Sequence, residues 1–279
     1  MMANFNNICL ERFNKYKTVL CVGMDPIIDK IPLKDKSDIE KTIVDFYSSI
    51  IDNFHKKIFC IKPNIAFYEQ YGIAGFKALG TIIDYAHKFE LPVILDAKRG
   101  DIGNTSQAYA IAAFNELKAD AITLSPYLGE DSLLPFFEYK EKGFFILTRT
   151  SNKGSSDFQL LKIDNGNYFF YEVGSRISIW NSKYSENIGA VVGATQSEFN
   201  EISYFFYQNG AVPLLIPGVG SQGGDFNTII NALIKMNYPM HKIFINSSSK
   251  INYAHLEHKD IDYLDAISIE IDKMQYIFD

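Results

Sequence analysis

Three cysteines in 279 residues, Cys9, Cys21 and Cys60, are too few, too scattered and odd in number for a disulfide framework. They suit a reducing compartment. A basic block is also missing. The 27 Lys and Arg face 33 Asp and Glu, and the net charge of −6 is spread along the chain. Any phosphate must therefore be bound locally, not on a nucleic-acid surface. No uninterrupted apolar stretch is long enough to span a bilayer, and the opening Met-Met-Ala-Asn-Phe-Asn-Asn lacks the apolar core of a signal peptide. The expectation is a cytoplasmic protein with no membrane or nucleic-acid partner. No Pro/Gly/Ser-rich linker, repeat or low-complexity segment divides it, so residues 1–279 are read as one domain with a sizeable core.

What is present is a rhythm. Short apolar runs alternate with longer amphipathic stretches, and such runs read as parallel strands covered by helices on both sides. Eight stand out: Val19–Val22, Ile58–Ile61, Val93–Leu95, Ala121–Leu124, Phe144–Leu147, Ala190–Val192, Pro213–Ile216 and Ile243–Ile245. Helices are expected over Ser37–His55, Gly75–Phe89, Asn104–Leu117 and Asp225–Met236, with Ser37 and Glu40 spaced as a capping box. Eight such units point to an α/β fold of the (β/α)8 barrel type, with a doubly wound open sheet as the other architecture. The polar segment Ser151–Asn167 reads as a long loop after the fifth strand, of the kind that serves as a lid or binding loop.

In a barrel, chemistry gathers where strands end. The first strand ends at Asp25 and the second at Lys62-Pro63-Asn64. The third ends in Asp96-Ala97-Lys98-Arg99-Gly100-Asp101. Asp96 and Lys98 are two apart, so on an extended chain they share a side. Burying such charges is costly unless they pair or work. Lys62 arrives from the neighbouring strand, and an alternation of lysines and aspartates keeps each ammonium beside an anion. From the charges alone, a rim salt bridge and a working array are equally compatible. The turn Pro217–Asp225 is rich in glycine, follows the seventh strand and precedes a helix. That is where this fold often binds phosphate, although a purely structural turn has the same composition. His255 and His258 lie past the last strand with no third ligand, so no metal site is expected. Trp180, the cysteines and the run Tyr204-Phe205-Phe206-Tyr207 read as packing.

The run Asp96–Thr105, Asp-Ala-Lys-Arg-Gly-Asp-Ile-Gly-Asn-Thr, resembles the signature of orotidine 5'-monophosphate decarboxylases, in the branch with longer chains. The resemblance continues through Gly23-Met24-Asp25-Pro26, Lys62-Pro63-Asn64, Pro126-Tyr127-Leu128-Gly129, Arg149-Thr150-Ser151-Asn152, Val192-Gly193-Ala194-Thr195 and Pro217–Asp225. It implies cofactor-free decarboxylation of orotidylate to UMP by Lys62, Asp96, Lys98 and Asp101. It also implies a homodimer with shared sites, in which Asp101, Ile102 and Thr105 reach into the partner's site. Asp25, Asn64 and Thr105 would contact ribose and Ser151 the pyrimidine edge, while Gln222 would bridge base and phosphate beside Gly220. One departure stands out. Where the family carries a phosphate-gripping Arg, in a segment like Asn-x-x-Arg, this chain has Ser249, followed by Lys250. Two other readings stay open: a metal-dependent sugar-phosphate enzyme on the same barrel, and a nucleotide-binding pseudoenzyme.

Overall fold

The computed structural model describes residues 4–195, 197–220 and 224–278. It contains eight parallel strands: β1 Leu20–Met24, β2 Cys60–Pro63, β3 Ile94–Arg99, β4 Ala121–Leu124, β5 Gly143–Arg149, β6 Ile188–Val192, β7 Leu214–Ile216 and β8 Ile243–Ser247. Hydrogen bonds join them in the order β2-β1-β8-β7-β6-β5-β4-β3. Isolated bridges Ile61↔Val93 and Asn64↔Asp96 link β2 to β3 and complete the ring. This is a (β/α)8 barrel, which removes the open-sheet alternative.

Strand alternation sorts the side chains. Cys21, Cys60, Ile94, Ala121, Phe145, Val191, Leu215 and Phe244, one from each strand, form a single buried cluster inside the ring. Their strand neighbours, such as Val22, Ile61, Ile122 and Ile245, join a second and larger cluster with the surrounding helices. The inner cluster is heavily aromatic: Phe145 and Phe244 meet edge to face at 5.0 Å, and Phe59 packs on Phe244 at 5.1 Å.

The helix Phe5–Tyr16, to which no sequence pattern drew attention, seals the N-terminal end. Phe5 stacks on Phe244 at 5.7 Å, and Cys9 lies in the same cluster. A methyl at Gly143 would sit 2.5 Å from the Phe5 ring, so glycine there is what admits the plug. All three cysteines are buried and free, and Trp180 is buried as well. The aromatic run beginning at Tyr204 divides: Phe206 is buried, whereas Tyr204 is half exposed.

Several boundaries differ from expectation. The second helix spans Ile39–Phe54, and its N-cap is Asp38, whose side chain accepts from Lys41 N. Ser37 instead donates to Asp35, so the expected capping box is not formed. The helix expected over Asn104–Leu117 is α-helical over Gly103–Ile111 and continues as a wider π turn, Ala112–Glu116. The segment after β5 is not an unstructured loop. It folds into a 3-10 turn, Lys153–Ser155, and a short helix, Ser156–Gln159, and Lys162 then bridges to Tyr168. Buried Arg149 ties this segment down, donating from Nη1 to Ser155 Oγ at 2.5 Å.

Candidate active site

Counting two residues up each strand from the inner cluster gives the next inward rung of the barrel. On β2, β3 and β4 that rung holds Lys62, Asp96 and Thr123. β2 begins two residues later than its apolar pattern suggests, which carries Lys62 into the wall; β3 likewise extends to Arg99 through the polar run.

The charges meet there. Lys62 Nζ lies 2.8 Å from Asp96 Oδ2, and Lys98 Nζ lies 2.6 Å from Asp96 Oδ1. The Lys62 and Asp96 side chains are only 6% and 10% exposed, whereas Lys98 is 49% exposed. Burial by itself would discharge Lys62, but Asp96, with Asp25 beyond it, holds its ammonium well above the ordinary lysine range. Burial likewise works against the Asp96 carboxylate, and Lys62 and Lys98 more than reverse that, keeping it ionised far into acid. The result is a fixed carboxylate between two cations, one buried and one facing outward.

Lys98 reaches Asp96 by a route that simple alternation does not describe. The β3–β4 register shifts between Leu95 and Arg99, and Lys98 has φ +47°, in the left-handed region. A non-glycine residue there costs about 1–2 kcal/mol, so surrounding contacts must hold it. Thr123 supplies them: its Oγ1 accepts from Ala97 N at 3.0 Å and Lys98 N at 2.9 Å, and donates to Asp96 Oδ1 at 2.9 Å. Sequence reading missed Thr123, although its place two residues above Ala121 was the signal.

Asp25 follows β1 and accepts from Asn64 N at 3.3 Å and from Ser248 Oγ at 2.5 Å. Ser248, also missed, fits because the facing residue is Gly23, where a methyl would come within 2.6 Å of the Ser248 Cβ. Ser151 is half-buried after β5. Its backbone lies against Gly193, whose Cβ would stand 2.9 Å from Ser151 N.

Other expected residues are not drawn into this group. Asp101 Oδ1 accepts from Ile102 N at 2.8 Å, and among the described residues no ion pair joins it to either lysine. Ile102 is 60% exposed and Thr105, in the first turn of its helix, is exposed too. Gly220, at φ +85°, donates its N–H to Gly224 O in the turn after β7. Gln222 lies outside the described residues. Ser249 is exposed at the start of the short helix Ser249–Asn252, and Lys250 beside it pairs with Glu257. His258 faces Glu270 at 2.8 Å, and among the described residues no three His, Cys, Asp or Glu cluster as metal ligands. No helix among them is long and apolar enough to cross a membrane.

Comparison with known proteins gives the family and the fold. The family model described as "Orotidine 5'-phosphate decarboxylase / HUMPS family" matches residues 18–238. A protein named orotidine 5'-phosphate decarboxylase from Herpetosiphon aurantiacus is 45% identical over 239 residues, 85% of each chain. The solved structure of Leishmania donovani OMP decarboxylase superposes with a TM-score of 0.76 at 31% identity, covering 99% of this chain and 100% of that one. The structure of Leishmania donovani UMP synthase gives 0.78 at 34% identity, covering 98% of this chain but 57% of the synthase.

Proposed function

The chain belongs to the orotidine 5'-phosphate decarboxylase / HUMPS family, and from that premise we infer that its barrel mouth removes CO2 from orotidine 5'-monophosphate to give UMP. The observation that carries the reading is the ordered trio in which Lys98, from the bulge above, joins the buried rung pair Lys62–Asp96. Breaking the C6–carboxylate bond releases CO2 and leaves an electron pair on C6 with no conjugated sink. Such a transition state is stabilised by fixed charge held beside it. Lys98, the outward cation, faces C6, stabilises the developing anion and then transfers a proton to it. Its amine regains a proton from solvent. Asp96, itself anchored by Lys62, aims the Lys98 side chain. Binding energy from the remote phosphate, taken up near Gly220, Gln222 and Ser249, is expressed in the transition state. Asp25, Asn64 and Thr105 hold the ribose, and Ser151 meets the pyrimidine edge.

The test is the decay of orotidylate absorbance, with and without chelator. Turnover that survives the chelator supports the reading. Turnover lost with the chelator and restored by metal favours the sugar-phosphate alternative, and no turnover at all favours a nucleotide-binding role.

The active form in this reading is a cytoplasmic homodimer whose sites each borrow Asp101, Ile102 and Thr105 from the other chain. Support comes from their outward position, and from exposed Tyr127 and Phe158 on the segments following β4 and β5. Mixing Lys98→Ala with Asp101→Ala chains under subunit exchange should restore about a quarter of wild-type activity, since half the dimers gain one intact site. No recovery despite proven exchange would place Asp101 in its own chain's site.

A further inference from the structure

The register of β3 against β4 shifts between Leu95 and Arg99, and the N–H groups of Ala97 and Lys98 lie in that break. Both turn to one atom, Thr123 Oγ1, at 3.0 and 2.9 Å. A hydroxyl has two acceptor sites and one proton. With both acceptor sites taken, the proton is committed, and it goes to Asp96 Oδ1 at 2.9 Å. That same carboxylate oxygen takes Lys98 Nζ at 2.6 Å. The hydroxyl thus holds Lys98 twice, at its backbone N–H directly and at its ammonium through Asp96. Thr123 is 1% exposed, so water does not compete for these bonds.

We propose that Thr123 is a positioning residue for the decarboxylation, its hydroxyl fixing the left-handed backbone of Lys98 and the Asp96 oxygen on which the Lys98 ammonium rests. This rests on the reading of the barrel mouth as the decarboxylation site. Thr123 touches no reacting atom; it acts through Asp96 and Lys98. The effect is therefore on turnover and not on substrate capture. Displacement of a reacting group by about an ångström costs on the order of a hundredfold in rate.

Two variants isolate the hydroxyl, because both lack the methyl and only one keeps the oxygen. Thr123→Ala should lower kcat by about ten- to a hundredfold with KM within about twofold of wild type. Thr123→Ser should restore kcat to within about threefold, since it refills the same three hydrogen bonds. Melting temperatures are measured beside the kinetics. Equal kcat for the two variants overturns the proposal, and so does a Thr123→Ala loss confined to KM. A Thr123→Ala chain that cannot fold while Thr123→Ser folds makes the hydroxyl a folding element, which also overturns it. Wild type and Lys98→Ala are run in parallel. An inactive wild type, or an active Lys98→Ala, sinks the decarboxylase reading itself, whereas failure of the Thr123 pair alone leaves that reading standing.

Discussion

The two ends of this barrel each bury a cation, and they satisfy it in opposite ways. At the floor, Arg12 is 4% exposed, and among the described residues it forms no ion pair with a carboxylate. Its guanidinium donates to Ile58 O at 2.8 Å and to Glu90 O at 3.1 Å, and also to His55 O. Burial lowers its pKa from the ordinary arginine value. At the mouth, Lys62 is equally buried but rests on the Asp96 carboxylate, which is shared with half-exposed Lys98. Carbonyl dipoles are fixed, so the floor cation stitches the segments after two helices, whose carbonyls would otherwise be unsatisfied acceptors. A carboxylate shared by two cations leaves one of them free to face a ligand. The floor is built to stay shut, the mouth to present charge.

That contrast can be broken, beginning with the largest effect. Lys98→Ala should reduce kcat by about 10³- to 10⁴-fold or more, since it removes the proposed proton donor and counter-charge. Its melting temperature should stay near wild type because Lys98 is half exposed. Near wild-type turnover would remove Lys98 from the chemistry. Arg12→Ala should do the reverse. Stranding several buried carbonyls should lower unfolding free energy by about 3 kcal/mol in denaturant titration, with kcat of the folded fraction unchanged. A fall in kcat at full stability would tie the floor to the chemistry and erase the distinction.

The smallest effect concerns the phosphate side of the mouth. An Arg contact to phosphate is charge-assisted and often bidentate, whereas Ser249 brings no charge. Restoring it with Ser249→Arg should lower KM by about ten- to a hundredfold. In the proposed phosphate site, Lys250, whose stem lies against Gly220 while its ammonium pairs with Glu257, is the candidate for the missing charge. Lys250→Ala should then raise KM, with Lys153→Ala as the comparison from the segment after β5. If none of the three moves KM or kcat/KM, phosphate does not bind beside β8.

The acid limit of the mouth follows from Asp96. Its pKa is depressed in the folded chain, so its contribution to stability is present above the ordinary aspartate value of about 3.9 and lost as pH falls below it.

Much of this was written locally. Eight apolar runs and their spacing specify parallel strands covered by helices on both faces, and the bridges that join β2 to β3 close them into a barrel. Asp25, Lys62, Asp96 and Lys98 were legible because strand ends collect chemistry in this architecture. The resemblance of the run Asp96–Thr105 to a family signature implied the reaction. Tertiary structure decided the rest. The helix Phe5–Tyr16 is weakly patterned and is defined by the aromatic floor it plugs. Ser37 lost the cap to Asp38 because a carboxylate one residue later already received Lys41 N. The left-handed turn of Lys98 and the role of Thr123 could not be read from either strand by itself. Periodicity reports which face a residue occupies, but a bulge is settled by which acceptor the neighbouring strand offers to the freed N–H groups. Here that acceptor is a single hydroxyl, 25 residues away in the chain from the lysine it holds.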